Sequence, residues 1–329
     1  MTNNNQLKYL PICILILINL HNPFAMADQE QERNLLIDEL VQQHGFDEQY
    51  IHEIFENIEF LPELIESISK PAEKTKTWPE YKNIFVTNHR IAAGVLYAKQ
   101  HEEIINKAVR EMGIPKKILL GILGVETYFG RIQGGYKVIN SLFTLATGYP
   151  KRAKFFRSEL INLFYLCREE NLSILDIKGS YAGAMGAPQF ISSSYRNYAI
   201  DGDGDGRVDL FNNWEDVLMS IGNYLKRNGW ETGKPIYSKF IVNEDQTSKM
   251  ASKTIKPITT VANLMDEGIE INSSESSEIA QLILLDEANL DEESYIGHHN
   301  FYVITTYNRN VMYALVVIKL GEAIENYIG

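Results

Sequence analysis

The sequence has 329 residues, of which 45% are hydrophobic and 22% charged, a composition typical of a folded protein with one large or two smaller domains. Its formal net charge is -12, so the chain has no basic excess with which to neutralise nucleic-acid phosphates. Composition therefore excludes extensive disorder and argues against a nucleic-acid partner. It favours a polymer that carries few or no negative charges.

The first 27 residues have the pattern of a secretory signal peptide. Lys8 precedes a short apolar core from Tyr9 to Leu20, and the small-residue site Ala25-Met-Ala27 stands before Asp28. The apolar core is short for a transmembrane helix, although an uncleaved anchor is the alternative. We therefore expect a mature protein that begins near Asp28 and works in the periplasm, soluble or loosely associated with a membrane.

Neither cysteine predicts a covalent attachment. Cys13 lies inside the apolar core and follows Ile12 rather than a small residue, so lipid modification is not expected. Removal of the signal peptide leaves Cys167 alone, which excludes an intramolecular disulfide in the mature protein. Cys167 is expected to be a buried helix residue.

Apolar residues at three- and four-residue spacing predict helices in the N-terminal part of the mature chain, residues 28–112. They recur between Gln29 and Ile68, after which Pro71 and Pro79 mark a connection. A further helix is predicted from Asn88 to Met112.

The next helix is predicted from Ile114 to Phe129, with Pro115 in its first turn and Gly130 at its end. At about 100° per residue, Glu126 falls inside the arc of apolar side chains rather than on the polar face. Burial disfavours the charged form of a carboxyl group and raises its pKa, which is the environment that a general acid needs. The alternatives are a Glu126 paired with an arginine from elsewhere and a helix that lies against a wet groove.

The middle of the chain combines helices with a segment of small residues. An apolar segment from Leu142 to Leu145 precedes an amphipathic helix that runs from Phe155 to Leu166. Gly179 to Ile191 is rich in glycine and alanine, so its backbone can approach another molecule closely. Ser180 and Gln189 supply hydrogen-bonding groups there, and the alternative is a tight turn between helices.

Asp201 to Asn212 has the spacing of a calcium-binding loop. Gly206 stands at the sharp-turn position, and acids stand at positions 1, 3, 5 and 9, namely Asp201, Asp203, Asp205 and Asp209. Asn212 occupies position 12, where a bidentate Glu is expected, so either Glu215 or Asp216 closes a longer loop or the affinity is weak. The alternative is a solvated turn that binds no metal.

Beyond residue 230 the pattern changes to short strands. Strands are predicted at Lys239-Phe-Ile-Val242 and Ala280-Gln-Leu-Ile-Leu-Leu285, with an exposed loop at Asn272–Glu278. Phe301 to Thr306 is predicted to be a further strand or extended piece. The last helix is predicted from Val311 to Ile328.

Three motifs occur in a fixed order along the chain. They are Gly124-Val-Glu-Thr-Tyr-Phe-Gly130, then Gly179-Ser-Tyr-Ala-Gly-Ala-Met-Gly186 followed by Gln189-Phe190, then Phe301-Tyr-Val-Ile-Thr-Thr-Tyr-Asn308. Together they resemble the membrane-bound lytic transglycosylase B family of bacterial murein-cleaving enzymes. The calcium-type loop, Asn223-Tyr-Leu-Lys226 and Gly229-Trp230 lie where that family has them. The resemblance covers roughly Ala92 to the C-terminus.

The resemblance implies a mainly α (α+β) fold. It has a lysozyme-like helical core with an N-terminal helical part, an EF-hand-like loop and a small β portion. The expected divisions are a signal peptide at 1–27, the N-terminal helical part at 28–112, the catalytic core at 113–230, a small β-containing part at 231–300, and a C-terminal strand and helix at 301–329 that complete the core.

The resemblance also assigns roles to individual residues. The family's single catalytic carboxylate corresponds to Glu126. The side chains that would line the sugar-binding groove are Ser180, Gln189, Tyr224, Tyr307 and Asn308, and those that would reach the peptide stem are Tyr149 and Arg152. The implied calcium ligands are Asp201, Asp203, Asp205 and Asp216, with Arg207 through its carbonyl. Ala187-Pro188 departs from members that carry Tyr-Gly at this place.

These residues imply a lytic transglycosylase that cleaves the β-1,4 bond between N-acetylmuramic acid and N-acetylglucosamine and leaves 1,6-anhydro ends. Glycoside hydrolysis ordinarily needs two carboxylates, whereas one suffices when the muramic acid C6 hydroxyl attacks C1. The alternatives are a hydrolytic, lysozyme-like muramidase with Asp176 as second acid and a non-catalytic, calcium-dependent murein-binding protein. We expect a structural calcium ion, no organic cofactor, peptidoglycan strands as the partner, and a monomer.

Overall fold

The computed structural model of this protein describes residues 23–70, 76–241, 255–266, 270–271, 279–283 and 295–328. The predicted signal peptide lies outside these residues except for its last few positions, and the predicted loop at Asn272–Glu278 lies outside them altogether. Among the described helices, none combines the length and the apolar character that a membrane crossing requires. The chain divides into two compact units, Met1–Phe55 and Glu56–Gly329.

The first unit contains α1 (Pro23–Gln42) and nearly all of α2 (Glu48–Glu56). Leu36, Leu40 and Ile51 are fully buried in this unit. The Asp47 carboxylate accepts the backbone N–H of Tyr50 at 2.8 Å and so satisfies a donor that the first turn of α2 leaves free. The amphipathic helices predicted from Gln29 onward are confirmed here.

The second unit is mainly helical, as expected from the fold class. Its helices are α3 (Glu63–Ser69), α4 (Trp78–Phe85), α5 (Asn88–Gln100), α6 (Glu102–Met112), α7 (Lys116–Thr127), α8 (Val138–Gly148), α9 (Ala153–Glu169), α10 (Ser192–Tyr198), α11 (Trp214–Arg227), α12 (Val261–Asp266), α13 (His299–Tyr307) and α14 (Val311–Ile328). Its strands are β1 (Tyr136–Lys137), β2 (Lys178–Gly179), β3 (Tyr237–Ile241), β4 (Thr259–Thr260), β5 (Glu270–Ile271), β6 (Ile279–Ile283) and β7 (Tyr295–His298).

Helices α7 and α14 form the centre of this unit and pack against each other along their length. They approach closely because Gly121 on α7 faces the backbone carbonyl of Val317 and Gly321 on α14 faces the carbonyl of Lys117. A Cβ atom at either glycine would lie within about 2.1 Å of the opposing oxygen, so only glycine permits this spacing. The central helix pair is therefore fixed at a short distance.

The β portion is a five-stranded antiparallel sheet in the order β4-β6-β7-β3-β5. Ile296 at the middle of β7 is paired with Ser238 on one side and Leu282 on the other. The strands predicted at Lys239–Val242 and Ala280–Leu285 are confirmed as far as the described residues extend. A separate pair, β1 and β2, joins Tyr136 to Gly179.

Two predicted elements are wrong. The helix predicted from Asn88 to Met112 is interrupted at His101, whose backbone leaves the helical region and whose ring packs 4.5 Å from that of Tyr97. Phe301–Thr306 is not a strand but part of α13, because Phe301, Ile304 and Thr305 share one buried helix face. A short run of apolar and β-branched residues fits either element in sequence, and packing decides between them.

Candidate active site

Glu126 lies at the C-terminal end of α7, where it is half-buried while its helical neighbours Val125 and Thr127 are buried. The Tyr313 hydroxyl, from α14, donates a hydrogen bond of 2.5 Å to Glu126 Oε1. Tyr313 is 2% exposed, so the donor that this carboxylate oxygen meets is a buried one. The helix predicted from Ile114 to Phe129 is confirmed to within two residues at each end.

The backbone after α7 turns through three consecutive left-handed residues. Tyr128 and Phe129 have φ values of 54° and 59°, and Gly130 follows at 77°. Such angles cost energy for aromatic residues, so they persist only where the surroundings enforce them. Thr127 supplies two restraints, since its hydroxyl donates to Ala187 O at 2.8 Å and accepts the Gly130 N–H at 3.0 Å. The end of the Glu126 helix is thereby tied to the Gly179–Ile191 segment.

The Gly179–Ile191 segment folds into tight turns beside this helix end. Ser180 is fixed by Ala184, whose N–H donates to the Ser180 hydroxyl at 3.0 Å and whose carbonyl accepts the Ser180 N–H at 2.7 Å. Gly134 contacts the backbone of Gly179 so closely that a Cβ at Gly134 would lie 2.1 Å from the Gly179 oxygen. The small residues predicted to allow close backbone approach serve, in this protein, the packing of its own loops.

Gln189 is held in an unusual conformation at the end of this segment. Its φ is 51°, and its side-chain amide donates to Gln133 O at 3.1 Å and Gly186 O at 3.0 Å. Gln133 in turn donates to Phe211 O at 3.0 Å. Both N–H groups of the Gln189 amide therefore donate hydrogen bonds within the protein. The side-chain carbonyl oxygen can accept a hydrogen bond from a ligand.

A row of tyrosines borders the carboxylate. Tyr307 donates to Pro188 O at 2.7 Å, its ring stacks on that of Tyr313 at 6.4 Å, and it meets the ring of Tyr224 at 4.8 Å. Burial raises the pKa values of Tyr307 and Tyr313, and the nearby Glu126 carboxylate raises both further. Both phenols therefore stay protonated and act as hydrogen-bond donors.

The remaining residues expected to contact substrate lie on two connections. Asn308 has extended backbone and follows Tyr307 at the end of α13. Tyr149 and Arg152 lie in the turn between α8 and α9, where the Arg152 guanidinium stacks 4.2 Å from the centre of the Phe155 ring. Asn308 thus adjoins the tyrosine row directly, whereas Tyr149 and Arg152 belong to a separate, more exposed turn.

Asp176, the second acid that a hydrolytic reaction would require, is exposed. Its carboxylate accepts the Ser173 hydroxyl at 2.6 Å. It borders a pocket of about 360 Å³ whose other lining residues include Gln133, Lys178 and Phe211.

The acidic loop brings Asp201, Asp203 and Asp205 together, with carboxylate oxygens within 4.8 Å of one another. The Asp201 carboxylate accepts the backbone N–H groups of Gly204 at 2.7 Å and Gly206 at 2.8 Å, which shapes the loop around it. Carboxylate oxygens at this separation suit a hard cation such as Ca²⁺.

The two acids that could close the loop have different partners. Asp216 is fully buried and accepts the N–H groups of Gly202 and Asp209, each at 2.7 Å. Burial raises the pKa of Asp216, and the charges of neighbouring acids add to this. Glu215 instead pairs with Lys107. Arg207 is exposed, and its backbone N–H donates to the Asp205 carboxylate at 2.9 Å.

Residues 28–322 match the family described as "Transglycosylase SLT domain". The chain belongs to this transglycosylase family. It is 32% identical over 306 residues to membrane-bound lytic murein transglycosylase B of Escherichia coli strain K12, across 88% of this chain and 81% of that protein. It superimposes on soluble lytic transglycosylase SltB1 of Pseudomonas aeruginosa with a TM-score of 0.84 and 36% identity, covering 90% of this chain and 99% of the other.

Two similar solved structures of the family are described with ligands. The Escherichia coli lytic transglycosylase Slt35 in complex with calcium has a TM-score of 0.79 and 30% identity, with coverage of 92% and 93%. SltB3 of Pseudomonas aeruginosa in complex with NAG-NAM-pentapeptide has a TM-score of 0.79 and 26% identity, with coverage of 90% and 79%. These likenesses confirm the expected lysozyme-like, mainly helical fold.

Sequence reasoning missed Tyr313. It lies on the predicted last helix among apolar residues and reads as a core aromatic, yet its hydroxyl reaches Glu126. A polar tip on a fully buried ring needs a partner, and this requirement is the one signal that could have identified it.

Proposed function

We propose that this protein is a lytic transglycosylase of murein in which Glu126 is the single general acid and base. The observation that carries the proposal is the hydrogen bond from buried Tyr313 to the half-buried Glu126 carboxylate. The helix end that carries Glu126 is bonded to the Gly179–Ile191 segment, which holds the polar residues Ser180 and Gln189. The family membership of the chain supports the same activity, as does its similarity to lytic transglycosylases.

The reaction needs two proton transfers at one carboxyl group. Protonated Glu126 donates its proton to the glycosidic oxygen that leaves C1 of N-acetylmuramic acid, and the C1–O bond breaks. The resulting carboxylate then accepts the proton of the C6 hydroxyl on the same sugar while O6 bonds to C1. The carboxyl group ends as it began, no water is consumed, and the product carries a 1,6-anhydro ring. An attacking group on the same sugar ring has a high effective concentration.

Tyr313 serves this cycle as a positioning residue. Its hydroxyl donates to one Glu126 oxygen at 2.5 Å and so fixes the orientation of the carboxyl group. Because its phenol stays protonated, the donor is present in both halves of the cycle.

The groups around Glu126 would orient the sugar. The open carbonyl of Gln189 suits the N–H of an acetamido group, while the rings of Tyr224 and Tyr307 offer apolar faces to a pyranose. Ser180 and Asn308 add polar contacts, and Tyr149 and Arg152 would meet the peptide stem.

We also propose that the acidic loop binds Ca²⁺. Asp201, Asp203 and Asp205 supply converging oxygens. The Arg207 carbonyl and the Asp216 carboxylate would complete the set. A bound divalent cation would offset the repulsion among these carboxylates and fix the loop against α11. Murein lies in the periplasm, so the protein would act there after export. It would act as a monomer.

The test is Glu126→Gln, a neutral side chain of the same shape. Release of soluble muropeptides from purified murein should fall by at least roughly a thousandfold, because no group remains to move the proton. The melting temperature should stay within a few degrees of that of the unmodified protein. Glu103→Gln, the same change at an exposed position of α6, is the matched control and should leave the rate unchanged. An active Glu126→Gln protein would refute the assignment.

A further inference from the structure

The guanidinium of Arg90 is held between two aromatic rings at the end of the Glu126 helix. Its central carbon lies 5.1 Å from the centre of the Phe85 ring and 5.0 Å from that of Tyr128. A second guanidinium, from Arg131, lies 5.0 Å from the same Tyr128 ring. We refer to Arg90, Phe85, Tyr128 and Arg131 as the Arg90 cluster.

The Arg90 cluster has a hydrogen-bond donor without an acceptor. Arg90 Nη1 is buried, and the described part of the chain places no acceptor within hydrogen-bonding distance of it. A buried, charged N–H that lacks an acceptor is costly, and in native proteins such groups usually belong to a site that a ligand or water completes. Stacking on two rings fixes the plane of the guanidinium but satisfies none of its N–H groups.

The cluster adjoins the proposed reaction centre. Tyr128 follows Glu126 by two residues, so their Cα atoms lie no more than about 7.6 Å apart. The Phe85 ring also packs, tilted, against the ring of Tyr81, with 5.1 Å between the ring centres. Tyr81 is buried and interacts electrostatically with Tyr313. A chain of aromatic contacts therefore connects the hydrogen-bond partner of Glu126 to Arg90.

Tyr128 and Phe129 have left-handed backbone, and their rings, 6.4 Å apart, have different further partners. Phe129 turns inward, is 5% exposed, and packs on Tyr97 at 5.5 Å between ring centres. Tyr128 is half-buried, and its ring centre lies 5.0 Å from the guanidinium carbons of both Arg90 and Arg131. The strained turn thus carries an aromatic ring that contacts two guanidinium groups.

We propose that the Arg90 cluster binds a carboxylate of the peptide that murein carries on its muramic acid residues. This inference rests on the proposed function and extends it to the peptide. A guanidinium offers donors only, in a planar fork that matches a carboxylate, whereas a neutral sugar hydroxyl would leave its charge unpaired. Two arginines at one place are also the kind of local positive site that a chain of net charge -12 needs to hold an anionic group.

The test measures binding rather than cleavage. The Glu126→Gln protein, which leaves the ligand intact, is titrated calorimetrically with N-acetylglucosaminyl-N-acetylmuramyl-pentapeptide and with the same compound whose carboxylates have been amidated. The acid form should bind at least roughly tenfold more tightly than the amidated form, as expected for a charge-assisted hydrogen bond. Adding Arg90→Gln should reduce the affinity for the acid form to that for the amidated form.

Two variants make the result specific. Arg110→Gln, the same change at an exposed residue of α6, should retain the preference for the acid form. Arg90→Lys keeps the positive charge but not the planar set of guanidinium donors, so it should retain part of the preference for the acid form. It replaces Arg90→Gln if thermal melting shows that the Arg90→Gln protein is unfolded. Equal affinity for the two ligands or absence of binding to the acid form overturns the inference. So does a preference that Arg90→Gln leaves undiminished or, where that variant is unfolded, a preference that Arg90→Lys leaves undiminished. Wild-type cleavage of murein to anhydro products under any of these outcomes would leave the proposed function intact.

Discussion

The close contact between α7 and α14 makes Gly121→Ala a sensitive probe of the site. A Cβ atom at residue 121 would lie 2.1 Å from the backbone oxygen of Val317, whereas ordinary van der Waals contact begins at 3.4 Å. The obstacle is backbone rather than a flexible side chain, so the helices must separate by more than about 1 Å to relieve the overlap. These two helices carry Glu126 and Tyr313.

The effect on stability combines two opposing contributions. Overpacking a dense core costs about 1–3 kcal/mol, and the higher helix propensity of alanine returns about 1 kcal/mol. Because neither helix backbone can move aside locally, we expect a net loss near the upper end, about 2 kcal/mol. For a unit of this size that corresponds to a melting temperature lowered by roughly 4–8 °C.

The effect on activity follows from the same displacement. The Tyr313–Glu126 hydrogen bond measures 2.5 Å, and a separation of more than about 1 Å takes it out of bonding range. A hydrogen bond to a charged group is worth about 1.5–3 kcal/mol, so kcat/KM should fall roughly ten- to a hundredfold.

Muropeptide release and thermal melting, measured on three variants, separate these effects. Gly121→Ala should lose both stability and rate, while Tyr313→Phe, which removes the hydroxyl without separating the helices, should lose rate with little change in melting temperature. Gly135→Ala is the control, since no atom lies within 4 Å of the added Cβ, and it should change neither. A Gly121→Ala protein with unaltered melting and rate would refute the packing argument.

Two further outcomes follow from the acidic loop and from the buried thiol. Calcium should raise the free energy of unfolding by about 2.7 kcal/mol at a hundredfold excess over its Kd. Asp203→Asn should remove most of that gain. Identical melting curves with calcium and with chelator would argue against a metal site. Burial raises the pKa of the Cys167 thiol from 9.0 to about 12, so the folded protein should resist alkylation at pH 8. Rapid alkylation of the native protein would contradict the burial of this thiol. The unfolded chain loses the thiol proton at a lower pH than the folded chain. The Cys167 contribution to stability is therefore present below about pH 9 and is lost as the pH rises toward 12.

Local patterns in the sequence were sufficient to predict several parts of the site. The apolar periodicity around Glu126 predicted a helix that the structure confirms to within two residues at each end. The regular spacing of Asp201, Asp203 and Asp205 predicted acids that converge, and their oxygens do lie within 4.8 Å of one another. In both cases a few consecutive residues determine the geometry, so no distant contact has to be known.

Features that depend on distant contacts could not be predicted in this way. Tyr313 lies 187 residues from Glu126, and nothing near either residue indicates their hydrogen bond. The left-handed backbone of Gln189 is stabilised by its bond to Gln133 O, although glutamine rarely adopts that conformation by itself. The sequence pattern predicts a strand at residues 301–306, which lie within the helix His299–Tyr307. The buried face of this helix is defined by partners elsewhere in the chain, so the local pattern does not reveal it.

The measurement that tests the central claim most directly is the structure of the product ends released from murein. Purified murein is digested with the protein in water enriched in heavy oxygen, and the muropeptides are analysed by mass spectrometry before and after borohydride treatment. We predict products that resist reduction, carry no heavy oxygen, and are lighter than the hydrolytic products by one water, about 18 mass units by stoichiometry. Reducible products that incorporate the label would contradict the single-carboxylate mechanism and would require a second acid, with Asp176 the first to be tested.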